Sequence, residues 1–472
     1  MSRVWCNPNL FHYTQLISAG IVVYIWLFSS HIFTRPLSRQ QTRLRGLPGK
    51  TPSNQTALAG VYSPFVFSPG GGEKVTLHAI KVLQTLGYRV ILFLGNDECS
   101  TMSCIQHTAE VLTVRGIRFE DLVVVAIDPH KLKKRKLDTG ADLHVFWSIG
   151  NTKIPFTFGI GRQLNMYTCQ FPFDMEKSVT SEDLSVLASY QLILAYSKFT
   201  ETWISRSLSS SFESLASLRR SSPYIQVLYP PAIEHGMPAD EIASYSALKF
   251  RDNEVHIAML GRFFLGRQSK GHQFGIVALK SLLSQTTASL HLHLVGAIQP
   301  GFENYVEQLQ RDAMGLPVTF HIAAPSSEVI SILRMSLLYW HMTGVDQPRD
   351  ATADPASMEH FGISIVEAMR YGCIPIVLNQ GGPVEIVEHS NTGYTAATVD
   401  EFVQYSLEII AQFPNSSASD KSSRAVLRRK NINLTAMQLN AIRSSTKFLV
   451  SNFESSFIRI VLNGTTGRTS RS

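Results

Sequence analysis

Cysteine is scarce. The five residues Cys6, Cys99, Cys104, Cys169 and Cys373 are scattered, odd in number and form no C-x-x-C pair. This argues against a disulfide framework and against a zinc site. No Asp-x-Asp triplet occurs anywhere, which fits chemistry run without a metal ion. A G-x-G-x-x-G after a strand, with an acidic residue about 20 positions on, is also missing; "SPGGGEK" does not meet that pattern, so a dinucleotide-dependent oxidoreductase is disfavoured. Basic and aromatic residues are not interleaved, and no nucleic-acid motif is present. The net charge of +7 is mild for 472 residues. Its basic residues collect at Arg35 to Lys50 and in "HKLKKRK", His130 to Lys136, a distribution better suited to a membrane surface or a phosphate-bearing partner than to duplex DNA. The second run reads first as a solvated loop.

What is present begins with an apolar run. "LISAGIVVYIWLFSSHIF", Leu16 to Phe33, holds no Asp, Glu, Lys or Arg and approaches the roughly 20 residues that span a bilayer as a helix. Arg3 precedes it, whereas Arg35, Arg39, Arg43, Arg45 and Lys50 follow it, so flanking charge places the long C-terminal part in the cytosol. A cleaved signal would carry its basic end in front and a small-residue site behind, so a retained anchor is expected. Asn-x-Ser/Thr triplets at Asn54, Asn415, Asn433 and Asn463 point the other way, toward a luminal body.

Beyond Thr51 short β-rich runs alternate with helical ones. "VYSPFVFS" (Val61 to Ser68), the helical "GEKVTLHAIKVLQTLG" and "YRVILFLG" form a βαβ unit. Strands are expected at Leu122 to Ile127, Leu143 to Ser148, Met166 to Phe171 and Leu192 to Ser197. After Pro230 and Pro231 the pattern restarts with "EVHIAMLGRF" and continues through "CIPIVLN". The fold class expected is α/β: two Rossmann-like domains in tandem facing a cleft, with an N-terminal transmembrane helix. The expected divisions are a tail at 1–15, an anchor at 16–34, a basic linker at 35–58, domains at 59–235 and 250–435, and a helix at 436–462 returning to the first domain. Phe448, Phe453 and Phe457 form a packing stripe on that helix. Thr343 to Met358 has no apolar period and reads as a mobile loop at a strand's carboxyl edge, where open α/β sheets bind ligands.

The stretch "EHFGISIVEAMRYGCIPIVLNQGGPVEIVEH", Glu359 to His389, concentrates the chemistry. Gly362 breaks it, so Glu359 belongs to a loop and Glu367 to a helix starting near Ile363 and closed by Gly372. The N–H groups of that helix start make an anion site. Gly381 and Gly382 permit close backbone approach before another helix, expected from Val384. Arg262 and Lys270 in "LGRFFLGRQSKGHQF" reach the same crevice. Two cations, two amide-rich loops and two carboxylates describe a receptor for a diphosphate with hydroxylated groups on both sides. Gly70, Gly71 and Gly72 after the first strand let backbone approach a phosphate or an acceptor. His144 and His272 read as structural or solvent-facing.

The pattern of Glu, seven residues, Glu within "FGISIVEAM" and "YGCIPIV", preceded by "GRF" and "KGH", resembles the family 4 retaining glycosyltransferases of GT-B fold, which include cytosolic-face mannosyltransferases of lipid-linked oligosaccharide assembly. "SPGGGEKVTLHAIKVLQTLGYRV", "QLILAYSKFTETWI" and "VLYPPA" extend the likeness, which covers about Val61 to Phe402. The resemblance implies transfer of a hexose, mannose as first choice, from GDP-mannose or a UDP-sugar to a glycan or lipid-linked acceptor, at a membrane and without a cofactor. It implies a catalytic set of Glu359, Arg262 and Lys270, in which Arg262 and Lys270 hold the diphosphate and Glu359 the donor sugar. Glu367 would hold the ribose, and Gly362, Ile363, Gly381, Gly382, Gly71 and Gly72 would line the donor. In "YTCQFPFD" this chain has Gln170 where many relatives place a sugar-contacting histidine. Gln170 can hydrogen-bond a hydroxyl but carries no charge, and bacterial-type relatives share "QFPF". The implied location is the endoplasmic reticulum with a cytosolic body, the alternative a luminal Golgi or reticulum protein. The competing function is a catalytically silent GT-B subunit of a glycan-assembly complex.

Overall fold

The computed structural model describes residues 57–466 apart from 66, 68, 96–99, 129–131, 133–134, 138–139, 236–240, 242–248, 250–253, 349, 351 and 413–432. The apolar run Leu16 to Phe33, the basic segment after it, most of "HKLKKRK" and the triplets at Asn54 and Asn415 lie outside the described residues. Among the described residues no helix is long and apolar enough to cross a membrane.

Seven parallel strands build the first sheet: β1 (Leu58–Ser63), β2 (Arg89–Gly95), β3 (Leu122–Ile127), β4 (Leu143–Gly150), β5 (Leu164–Cys169), β6 (Leu192–Ala195) and β7 (Tyr224–Val227), in the order β3-β2-β1-β4-β5-β6-β7. The second sheet comprises β8 (Glu254–Leu260), β9 (Ser289–Gly296), β10 (Val318–Ile322), β11 (Leu338–His341), β12 (Ile374–Leu378) and β13 (Tyr394–Ala396), in the order β10-β9-β8-β11-β12-β13. All of its pairs are also parallel. Such sheets must be covered on both faces, and their strands are accordingly near-continuous apolar runs. In each sheet the order reverses beside the first strand, at β1/β4 and at β8/β11, which opens a crevice at the carboxyl ends of those strands.

Several boundaries differ from the sequence reading. The first strand begins at Leu58 and stops at Ser63, not at Ser68, because Pro64 has no N–H to extend the ladder. The strand expected over Met166 to Phe171 runs two residues earlier. The helix expected from Val384 is a single 3-10 turn, Gly382–Glu385. Thr343 to Met358 is not without structure: Asp354 accepts from the Ala356 N–H to start a 3-10 turn, Pro355–Ser357, and pairs with Arg267 at 3.1 Å.

The helices of the first domain are α1 (Gly71–Thr85), α2 (Met102–Val111), α3 (Ser181–Leu187) and α4 (Lys198–Ser217). Those of the second are α5 (His272–Gln285), α6 (Glu303–Asp312), α7 (Ser326–Met335), α8 (Ile363–Arg370) and α9 (Val399–Ile410). The expected single terminal helix is two, α10 (Leu434–Ser445) and α11 (Val450–Thr466), parted by a 3-10 turn and an extended Leu449. The break has a partner. Ala232 N–H donates to the Phe448 carbonyl at 3.1 Å, and Val450 N–H to that of Ile233 at 2.8 Å, so the returning chain is laced to the outgoing linker.

The phenylalanine stripe consequently divides. Phe448 is buried among Tyr339, Phe361 and Ile365 of the second domain, whereas Phe453, Phe457, Ile460 and Val461 enter the core of the first, with α1 and Trp147. Phe457 meets Trp147 edge to face at 5.8 Å and is fully buried. Truncating a buried Phe to Ala costs about 3–5 kcal/mol. Phe457→Ala is therefore expected to lower first-domain stability by about that much, read as a drop in the urea midpoint followed by tryptophan fluorescence, with Phe457→Leu losing much less.

Candidate active site in the crevice of the second sheet

β11 ends at His341, and α8 begins at Ile363 behind Gly362, whose φ of 107° is open to glycine and strained for other residues. Glu359 lies on the loop between them. Its Oε2 receives the Lys270 Nζ at 2.8 Å and the His341 Nε2 at 2.9 Å, while its Oε1 receives the backbone N–H of His360 at 3.1 Å. The Glu359 side chain is only 12% exposed. Burial pushes its carboxyl up, but Lys270 and His341 together outweigh this and hold it well below the usual carboxylate range. Burial lowers the pKa of His341, so at neutral pH it is an uncharged imidazole donating through Nε2.

Lys270 and Arg262 both lie on the connection from β8 to α5. A Cβ at Gly261 would stand 2.4 Å from the Lys270 Cγ, so this glycine lets the lysine fold back over the strand end. Arg262 is exposed, its guanidinium 5.7 Å from the Phe264 ring centroid. It does not join the Glu359 cluster but acts on the first domain. Burial raises the carboxyl of Glu73, in the first turn of α1, to about 6, against the pull of its own backbone N–H and of Arg262.

Glu367 sits half-buried on the second turn of α8; burial raises its carboxyl, and Lys74 of the first domain opposes this. Lys74 itself donates to the Ala232 carbonyl at 2.7 Å. Gly71 faces Ile363, where a Cβ would be 2.9 Å from the Ile363 Cδ1; Gly72 faces Gln170, where it would be 2.5 Å from Nε2. Gln170 Nε2 donates to the Tyr196 hydroxyl at 3.1 Å. Gly381 and Gly382 make room for the chain itself: a Cβ on either would lie within 2.4 Å of the carbonyl oxygen of Glu359 or His360, and Gly382 N–H donates to Glu359 O at 2.8 Å. The fold thus joins Glu359 to Lys270, and Gly71 to Ile363 across the cleft, while Arg262 and Glu367 stand apart from the first cluster.

His341, His360, Glu73 and Glu385 were not singled out from sequence. The available signal for His341 was its place at the carboxyl end of a central strand. His272, expected to be structural or solvent-facing, is fully buried and stacked on Phe263 at 4.3 Å; burial, Lys270 and His341 lower its pKa to about 3. His144 is half-buried on β4.

The Glu359 pKa has a stability consequence. A depressed carboxylate contributes stability that is full above the ordinary value of 4.5 and is lost as pH falls through the lower folded value. Breaking a buried ion pair costs roughly 3 kcal/mol. Glu359→Gln should therefore be destabilised by about that much at pH 7, and its deficit against the parent chain should shrink steadily below pH 4.5 in acid-titrated unfolding curves.

Residues 243–421 match the family model for Glycosyl transferases group 1. The GDP-Man:Man(3)GlcNAc(2)-PP-Dol alpha-1,2-mannosyltransferase of Dictyostelium discoideum is 29% identical over 207 residues, covering 41% of this chain and 35% of that protein. Its Xenopus laevis counterpart is 28% identical over 221 residues, covering 44% and 41%. The chain thus spans well under half the length of these relatives. The Anabaena protein HepE, crystallised with UDP and glucose, superposes with a TM-score of 0.54 at 16% identity, over 86% of this chain and 100% of that one, a likeness of fold. Residues 243–421 are a glycosyl transferases group 1 domain, set in a two-domain GT-B frame and in a chain similar to the mannosyltransferases.

Proposed function

We propose that the protein transfers a hexose, mannose carried on GDP, to a glycan or lipid-linked glycan, with retention of anomeric configuration and without a metal ion. The observation that carries the reading is the Glu359 carboxylate, held ionised by Lys270 and His341 in the crevice at the ends of β8 and β11. A carboxylate so depressed is no proton donor at neutral pH. Its service is to accept hydrogen bonds from the hydroxyls of a donor sugar. The printed names of the curated relatives, which specify GDP-mannose and a lipid-linked glycan, support the choice of donor and acceptor.

Charge development on a leaving nucleoside diphosphate is the largest barrier in such a transfer, and fixed cations and amides lower it most. Arg262 and Lys270 are assigned to the diphosphate, with the amides behind Gly362 and Ile363, the Gly381–Gly382 turn and the Gly71–Gly72 loop lining the donor. Glu367 is assigned to the ribose and Gln170 to an acceptor or sugar hydroxyl. The leaving β-phosphate takes the acceptor proton on the same face, so no enzyme base is required there. Anchoring through Leu16 to Phe33, with the body at the cytosolic face of the endoplasmic reticulum, completes the reading and brings the site to a membrane-bound acceptor.

The test is a titration of the full chain in detergent with GDP-mannose, UDP-glucose, UDP-N-acetylglucosamine and NADH. GDP-mannose is expected to bind most tightly, and Glu367→Ala to weaken it about tenfold, the ~1.4 kcal/mol of a hydrogen bond to a charged group. Binding of another nucleotide sugar would reassign the donor. Binding of none would favour a silent subunit, and NADH alone an oxidoreductase.

A further inference from the structure

The contacts between the two domains close on the residue next to Glu359. The His360 ring lies flat on Phe171 of the first domain, centroids 3.8 Å apart and planes 9° apart, with Phe173 at 5.4 Å and Phe199 at 6.2 Å. Its carbonyl accepts from the Ser197 hydroxyl at 2.5 Å. From its own domain, Gln268 Nε2 donates to the His360 Nδ1 at 2.8 Å. His360 is buried, and burial lowers its pKa to about 3. A neutral ring therefore packs on the phenylalanine throughout the physiological pH range.

A second grip lies beside the first. Glu385 of the second domain accepts from the backbone N–H groups of Lys198 at 3.0 Å and Phe199 at 2.8 Å, and from the Tyr229 hydroxyl at 2.9 Å. Lys198 and Phe199 open the 20-residue helix α4 of the first domain. A helix start has unsatisfied N–H groups and a positive dipole end, so a carboxylate there is doubly favoured. The two grips belong to one piece of chain. Gly381 and Gly382 seat the Glu359–His360 backbone on the turn that carries Glu385, with no room for a side chain between them.

His360 does a third thing: its backbone N–H donates to the Oε1 of Glu359 at 3.1 Å. We propose that His360 and Glu385 are positioning residues through which closure of the two domains sets the Glu359 carboxylate. By way of Phe171, Ser197 and the start of α4, the first domain clasps the residue whose N–H orients Glu359. Opening the cleft releases that residue, so the carboxylate is fully aligned only when the acceptor-side domain is in place. The aromatic run of "QFPF" thereby serves the donor side of the cleft. The proposal rests on the role given above to Glu359.

Two measurements on the full chain test it. In hydrogen exchange, Glu385→Ala is expected to speed exchange of the Lys198 and Phe199 amides at least tenfold, and Phe171→Ala to speed exchange at His360 and Phe361. In transfer kinetics with GDP-mannose, Phe171→Ala should lower kcat at least tenfold while changing the donor KM less than threefold. Phe171→Tyr should restore kcat, and donor hydrolysis per transfer should rise in the Ala variant. Unchanged amide exchange in Glu385→Ala, or a Phe171→Ala variant with lower Tm but parental kcat, would overturn the proposal. Should Phe171→Ala not fold, Phe171→Leu takes its place under the same criteria. A parent chain that turns over no nucleotide sugar would defeat the transferase reading instead, and the exchange data would still decide whether the clasp exists.

Discussion

A carboxylate taken out of water without a cation beside it loses several kcal/mol of solvation, and the usual escape is to take up a proton. At Glu359 the ammonium of Lys270 closes that escape. Both groups come from loops at the carboxyl ends of neighbouring strands, and each loop has glycines where side chains would keep them apart. Gly261 lets Lys270 fold back; Gly381 and Gly382 let the Glu359 backbone descend onto the next turn. His341 adds a neutral donor on the same oxygen, which orders the carboxylate without adding to its charge balance. The rest of the crevice is arranged around that one ion pair.

Much of this frame was legible in the chain. The restart of the β/α pattern after Pro231 gave two tandem units, and Gly362 correctly divided a loop carboxylate from a helical one. What stayed hidden were the partners. His341 and His360 are single residues with no period, and the surfaces that give them meaning come from 18 and 189 positions away in Glu359 and Phe171. The glycine pair at Gly381 was visible as a place of close approach, but only the fold shows that the chain's own backbone is the first thing to approach it. The apolar spacing runs on through Leu449 and alone implies one terminal helix; hydrogen bonds to Ile233, remote in sequence, decide the break.

Those hydrogen bonds also describe how the domains are joined. The chain passes between them at the linker around Ala232 and again at Leu449, and Ile233 and Leu449 form a parallel bridge. Tyr229, three residues before Ala232 on that linker, packs on Phe448 at 5.3 Å and donates to Glu385 at 2.9 Å, so linker and clasp meet at one residue.

The return of α11 into the first core has a consequence for biosynthesis. Phe453, Phe457, Ile460 and Val461 fill the face of α1 and β4 that was translated first. Domains ordinarily fold in the order they leave the ribosome, at about 5–20 residues per second. Here the amino-terminal sheet emerges with an uncovered apolar flank and waits on the order of tens of seconds for the helix that seals it. Until α11 has left the ribosome this flank of the first core lacks its cover, so completion of the first domain waits on chain that follows the second.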